Sequence, residues 1–505
     1  MGNRYTIIEN NPAAILLADI PVTGYPEFSD EVDRLMISGA VHCLTYFVIP
    51  VRDVYRFICF LADDSNGKIL ALSHEQPVKQ ELILESITAK HTPFHIFERE
   101  IHEEYGILFS GHPWLKPLRY PFFRADGNKR IDNYPFYRIG GDELHEVGVG
   151  PIHAGIIEPG YFRFICNGER VLHLEIQLGY QHRGIERLFT GEGSALKKNI
   201  LSENIAGDTT IGHALCHVQL IESLAGVSMS RALQKERVIA LEMERIAIHI
   251  GDTAALCADI AYQFGQAVNE ALRTIIINTI QHWCGNRFGK GLLRVGGSHY
   301  PLTSEFSQVL LSDLKEVEER YRQMNNMLFS MPSVLSRFES TGKVTSLQAG
   351  SLGLVGMAAR SSGLKRDIRW SHPFQAFRGL KYETVILKEG DVWARAMLRK
   401  NEIEKSIQII RESLSGFPRQ EKEESPRYDL ALSPSSIAIS ATEGWRGEIV
   451  HTAVTDERGK IIRYKIKDPS LHNWMALALA MRNQEISDFP LCNKSFNLSY
   501  CGHDL

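Results

Sequence analysis

Between Lys235 and Phe264 the chain reads KERVIALEMERIAIHIGDTAALCADIAYQF, a helical stretch that is apolar nearly all round. A helix without a wet face must lie inside a body large enough to cover it. This stretch therefore demands a large helical domain. It also carries Glu242, Arg245 and His249, whose spacings of three and four put them on one face. Ionised groups left unpaired there would cost several kcal/mol. They read as a structural ion-pair network, or as a proton path or the wall of a site.

The 505 residues exceed a typical single domain, so two or three are expected. Residues 40–75 alternate as strands, CLTYFVIPV, YRFICFLA and KILALSHE, with an Asn66-Gly67 turn between the last two. FHIFEREIHEEYGI (94–107) follows as a helix with Phe94, Phe97, Ile101 and Tyr105 on one stripe. Residues 1–125 thus form a small α+β domain. The polar stretch 124–148 has no clear period and reads as a linker, leaving 149–505 as a second domain. That domain opens with a hairpin about Asn167-Gly168 and continues mainly helical. A strand–turn–strand pattern over 451–466 supplies a small β element near its end. The fold class is α+β.

One stretch, SENIAGDTTIGHALCH (202–217), gathers acids, hydroxyls, histidines and a cysteine around glycines. Asp208 and Thr209 precede an apolar-periodic run and suit a helix N-cap. A capped N-terminus can also line a pocket, because it attracts anions. His213 and His217 at i and i+4 suit zinc, but no HExxH or obvious third ligand accompanies them. Glycine clusters at 289–291 and 296–297 complete no phosphate loop, so no nucleotide site is expected.

Composition narrows the classes. Hydrophobic and charged fractions of 44% and 23% are those of a soluble globular protein. A net charge of −4 gives no electrostatic footprint for nucleic acid. Eight scattered cysteines without a CxxC pair offer no thiolate knuckle or iron–sulfur cradle and suit a reducing compartment. The N-terminus lacks a signal peptide's apolar core, and no run is long enough to span a membrane. Membrane association is expected only through partners.

The order of motifs resembles a known family. HIFEREIHEEYGILFSGHPWLKPLRYP (95–121) resembles the small peripheral-arm subunit of respiratory complex I. GVGPIHAGIIEPGYFRF (148–164), YQHRGIERLF (180–189), LEMERIAIHIGD (241–252), ARSSGLKRDIR (359–369), EGWRGEI (443–449) and YKIKDPSLHNWMALALAM (464–481) resemble the large subunit that follows it. The fusion of the two is similar to the large subunits of formate-hydrogenlyase-type nickel–iron hydrogenases.

The resemblance also shows what is missing. In those hydrogenases four cysteines hold the metals. Here the matching positions are Ala206, Thr209, Ser499 and Gly502, while His213 and Asp504 match neighbouring family residues. Alanine and glycine cannot ligate through a side chain, and hydroxyls do not replace bridging thiolates. No nickel–iron centre is expected. The quinone-reducing relatives imply His153 as a head-group histidine, but their second histidine is Ile157 here and their tyrosine is Gly207. Glu158 matches an acid near a proton exit, Arg446 an arginine above the metal site, and Arg183 an arginine facing the neighbouring subunit's iron–sulfur cluster.

The resemblance thus implies catalytic roles for Glu158, His153, Asp208, His213 and Arg446 in a pocket able to shuttle protons. It implies no cofactor bound by this chain, an iron–sulfur partner subunit, ion-translocating membrane subunits, and a cytoplasmic position on the inner face of the cell membrane. Electrons would pass to a quinone-like or other small acceptor. A catalytically silent scaffold is the alternative, and a true hydrogenase a weaker one.

Overall fold

The computed structural model describes residues 4–154, 157–417 and 424–505. The first unit is built on a five-stranded sheet. Thr6–Ile8, Lys68–Pro77, Val54–Asp63 and Val41–Val51 lie in that order, and Val22–Thr23 runs parallel to Lys68–Pro77. The Asn66-Gly67 turn closes the Val54–Asp63/Lys68–Pro77 hairpin as its chemistry dictates, with Gly67 at φ +65°. One face of the sheet packs Tyr46, Phe57 and Cys59 against Phe28, Phe97 and Ile101 of the helices Tyr25–Met36 and His95–Tyr105. The other face, with Leu44, Phe47, Ile58 and Phe60, shares a core with Ile211, Val238 and Ile439 of the large unit. Burial on both faces explains why these strands are nearly continuous apolar runs.

The large unit centres on the helices Arg231–Asp259, Gln263–Cys284, Ser304–Leu328 and Val392–Leu414. The first of these starts earlier and ends sooner than its apolar pattern suggests. The Ser230 hydroxyl accepts from Leu233 N and fixes its start. Ala261, at φ +58°, breaks it from the next helix, so the pattern up to Phe264 joins two elements. The hairpin Tyr161–Asn167/Arg170–Gln177 turns at Asn167-Gly168 as expected, and Glu448–Thr455 with Ile461–Lys467 forms the strand–turn–strand element.

Two features depart from the pattern of the sequence. The end of the 124–148 stretch is a strand, Leu144–Val149, paired with Tyr161–Asn167. It is short and lies at the sheet edge, and only Val147 and Val149 pack on the core, too few to mark a strand by alternation. The strand Ala13–Leu16 pairs with Ser436–Glu443 and adds a fourth strand to the C-terminal sheet of the large unit. Among the described residues no helix is long and apolar enough to cross a membrane.

Candidate functional site

The stretch 202–217 wraps into a turn and then the helix Thr210–Leu224. Neither Asp208 nor Thr209 caps that helix. Thr209 stands at the N-cap position without a side-chain bond to it. The cap comes from Glu244 on the buried Arg231–Asp259 helix, whose carboxyl accepts from Ile211 N (2.7 Å) and Gly212 N (3.0 Å). The helix N-terminus is satisfied by a carboxyl oxygen, but a residue from another helix supplies it. Burial pushes the Glu244 carboxyl up to about 8, against the pull of the two backbone amides. Sequence spacing missed this residue because it lies off the face shared by Glu242, Arg245 and His249.

Asp208 is taken instead by Arg446. The guanidinium donates from Nη1 and Nη2 to the two carboxylate oxygens, each at 2.6 Å, a bidentate pair. Nη1 also donates to Thr209 Oγ1 (3.0 Å) and Nε to Asn497 O (2.5 Å). Burial opposes the charge on Arg446, but Asp208 outweighs it and keeps the guanidinium firmly protonated. The pair joins the 202–217 turn to the loop after the strand Ser436–Glu443.

His213, one turn into the helix, has no exposed surface. Its Nε2 lies 3.0 Å from Asp468 Oδ2, and its Nδ1 lies 3.1 Å from His451 Nε2. Burial works to raise the Asp468 carboxyl, but His213 and the Arg446 charge hold it below the usual range. The carboxylate is seated directly over Gly502. A Cβ added at Gly502 would stand 2.6 Å from Asp468 Cγ and Oδ2, far inside contact distance. Ser499 Oγ accepts from Gly502 N (2.9 Å) and lies 3.4 Å from Cys501 Sγ. Of the four positions that the resemblance matches to metal ligands, Ala206 and Gly502 carry no side-chain donor atom. Ser499 caps the helix Tyr500–Asp504, and Thr209 binds Arg446.

Glu158, half-exposed, approaches from the other side, where its Oε2 accepts from Tyr500 N (3.2 Å) and Cys501 N (3.3 Å). His153 stays within its own loop: Nε2 donates to Gly160 O (2.9 Å), and the ring folds back over Gly150. Gly150, at φ +93°, makes that close approach possible. Among the described residues, His153 makes no contact with Asp208, His213 or Arg446. Arg183 is exposed at its head and does not pair with Glu186, which is bonded to Lys465 and Ile466 N. Its guanidinium donates to Asn204 O, Ile205 O and Cys501 O at 2.7, 2.7 and 3.1 Å. It therefore braces the 202–217 turn against the C-terminal helix. Asp504 accepts from Gly179 N and Gln181 N just before it.

His217 does not share a ligand position with His213. Its Nδ1 bonds the Tyr464 hydroxyl (2.9 Å), which also bonds His451 Nδ1 (2.8 Å). Tyr464 and Asp468 fall inside the 464–481 motif and His451 ahead of it, but spacing gives none of the three a role. His451 and Tyr464 stand on the paired strands Glu448–Thr455 and Ile461–Lys467, and Asp468 directly follows the second, so their partners emerge only once the sheet meets the helix Thr210–Leu224.

Comparison with known proteins agrees with this architecture. The family model of the respiratory-chain NADH dehydrogenase 49 kDa subunit matches residues 264–436. The carbon monoxide-induced hydrogenase of Rhodospirillum rubrum is 31% identical over 355 residues, 70% of this chain and 97% of that one. An NADH-quinone oxidoreductase subunit of Dehalococcoides mccartyi is 28% identical over 356 residues, 68% of this chain and 93% of that one. A structure of the membrane-bound sulfane sulfur reductase, an archaeal respiratory membrane complex, shares the fold at a TM-score of 0.67, with 21% identity over 73% of this chain and all of that one. These relatives indicate a large subunit of the complex I and membrane-bound hydrogenase type. The chain belongs to the family of the respiratory-chain NADH dehydrogenase 49 kDa subunit and its hydrogenase relatives.

Proposed function

We propose that the chain is the large subunit of a membrane-associated oxidoreductase complex without a nickel–iron centre. It takes electrons from an iron–sulfur partner and passes them to a quinone-like or other small acceptor, coupled to ion translocation by membrane subunits. It sits peripherally on the cytoplasmic face of the cell membrane. Residues 1–125 form its small unit and 149–505 its large one, joined through 126–148. Relatives named as a hydrogenase and as a subunit of an NADH-quinone oxidoreductase support the class.

The observation that carries the absence of nickel is the Asp468 carboxylate over Gly502. A thiolate there would need the space that the carboxylate fills. Asp208, Arg446, Asp468 and His213 are protein groups that hold charge and protons where the hydrogenases hold thiolates. Elemental analysis of the anaerobically purified protein is expected to find no stoichiometric nickel. About one nickel per chain would overturn this reading, since thiolate-free sites bind it poorly. The acceptor is tested in the assembled complex with reduced methyl viologen as donor and a short-tailed quinone as acceptor. Turnover that is lost in Arg446→Met supports the reading. An intact complex without turnover leaves the scaffold, which the closed bonding of Arg446 also suits.

Electron entry gives a second prediction. An exposed guanidinium at Arg183, always charged, would stabilise the reduced form of a facing cluster. In Arg183→Met the complex is expected to assemble, while the partner cluster's midpoint falls by tens of millivolts, about 59 mV being tenfold for one electron. Redox-titrated paramagnetic resonance measures this. An unchanged potential would mean that Arg183 serves only as the strut between the turn and the C-terminal helix.

A further inference from the structure

The five groups Asp468, His213, His451, Tyr464 and His217 are joined end to end by hydrogen bonds of 3.0, 3.1, 2.8 and 2.9 Å. All five are buried, none more than 1% exposed. With Asp468 ionised and the three imidazoles neutral, the donor inventory of these groups gives a single consistent direction. His217 donates through Nδ1–H to the Tyr464 oxygen, and Tyr464 donates its hydroxyl hydrogen to His451 Nδ1. His451 donates through Nε2–H to His213 Nδ1, and His213 through Nε2–H to Asp468. Every imidazole is then neutral and every bond is filled. Burial and neighbouring histidines hold His451 well below the ordinary range, and burial with the nearby Lys198 ammonium brings His217 to about 3.

We propose that this chain is a proton wire leading from the side of the helix Ala195–Ser202 to the Asp208–Arg446–Gly502 site. A proton from solvent or a buffer acid binds His217 Nε2, the ring nitrogen not engaged by Tyr464. His217 then passes its Nδ1 proton to Tyr464, Tyr464 its hydroxyl proton to His451 and His451 its Nε2 proton to His213. His213 gives its Nε2 proton to Asp468. One proton enters, one arrives, and the four relaying groups end neutral. Tyr464, raised well above its ordinary value by burial, relays as a hydroxyl without ionising. Asp468, held below its ordinary range, keeps the proton only briefly, which suits a donor. A turning step by the Tyr464 hydroxyl, with tautomer exchange in the rings, resets the chain. The packing holds the geometry: the Tyr464 ring stacks on Phe189 at 4.1 Å and 11°. The wire rests on the functional reading only for what consumes the proton.

The test uses the full chain labelled with nitrogen-15 histidine. Exchange of ring N–H hydrogens with solvent is followed by nuclear magnetic resonance. A conducting wire exchanges the buried His213 and His451 ring protons without opening the core. They should exchange more than about tenfold faster than the backbone amides of Glu448–Thr455, which need local opening. Tyr464→Phe keeps the stacked ring and removes the relay. His213 and His451 should then slow by more than about tenfold, to the rate of those amides. Should Tyr464→Phe not fold, His217→Gln is expected to slow the same protons, because an amide cannot relay. Ring protons as slow as the amides in the wild type, or unchanged in the folded variant, overturn the wire. A complex that reduces no quinone would leave this result standing, so the two readings fail separately.

Discussion

Replacing Glu402 by alanine is expected to cost about 3–5 kcal/mol, the penalty for breaking one member out of a buried ion network. Glu402 lies in the Val392–Leu414 helix with no appreciable exposure. Its Oε1 accepts from Arg360 Nη2 (2.7 Å) and Arg369 Nη2 (3.0 Å), and its Oε2 meets His249 Nε2 (3.0 Å). Arg245 approaches it at 3.8 Å and is bonded to Glu242, while Arg360 reaches on to Glu443. Removing Glu402 leaves three buried guanidinium groups short of an anion. A thermal melt of the variant should fall far below that of the wild type, or the chain should fail to accumulate. Glu443 supplies a second readout. Burial first, then Asp367, hold its carboxyl at about 7 despite Arg360. The folded state therefore keeps a proton that the unfolded chain releases above about 4.5, so this group's stabilisation is full below about 4.5 and is lost as pH rises through about 7. Without Glu402 the freed arginines favour ionised Glu443, and that slope should flatten. A variant that melts like the wild type with the same pH slope would show that the network is not held by Glu402.

Glu242, Arg245 and His249 were legible as a shared face because helical spacing is fixed by 3.6 residues per turn. The identity of their partners was not, because Arg360, Arg369, Glu402 and Glu443 come from elements far away in the chain. The hairpins at Asn66-Gly67 and Asn167-Gly168 were legible for the same local reason: a turn needs positive φ at a definite place. The pairing of Ala13–Leu16 with Ser436–Glu443 was not, since four small and apolar residues specify no partner. At the site, Asp208 and Arg446 were each singled out through the resemblance, and the structure joins them in one bidentate pair. The resemblance grouped His153 with them, yet its ring bonds Gly160 O within its own loop. Glu244, His451, Tyr464 and Asp468 went unassigned because their partners come from other elements and are met only when the sheet and helices are assembled.

The seam between the two units should loosen as pH rises through about 9, the value to which His42 is raised. His42, on the strand Val41–Val51 of the small unit, is buried between two acids. Its Nδ1 lies 3.1 Å from Asp64 Oδ2 and its Nε2 2.7 Å from Glu448 Oε2 on the large unit. Burial alone would lower His42, but the charges of Asp64 and Glu448 outweigh it. As an imidazolium it donates from Nε2 to Glu448 and sets its charge beside Asp64 at Nδ1. Lys467 completes the clamp, bonding Glu448 and donating to Cys43 O (3.2 Å). The folded value lies above the 6.5 of the free group, so the contribution of His42 is full below about 6.5 and is lost as pH rises through about 9. At about 1.4 kcal/mol for each tenfold gain in proton affinity, this amounts to roughly 3 kcal/mol. Glu448 works in the opposite sense. Burial would raise it, but Lys467 and His42 hold it far below its ordinary 4.5, so its contribution fades as pH falls. The clamp is therefore strongest between about 4.5 and 6.5. Glu244 and Glu443 also weaken the fold as pH rises, so the informative quantity is the difference between the wild type and His42→Gln. That difference in melting temperature should be largest near pH 6 and shrink toward zero by about pH 10, because the wild-type imidazole is by then neutral as well. Limited proteolysis should cut the 126–148 stretch more readily in the variant at about pH 6 and equally in both proteins at about pH 10. A difference that stays constant across this range would mean that His42 packs at the seam as a neutral ring, and the charge clamp would have to be abandoned.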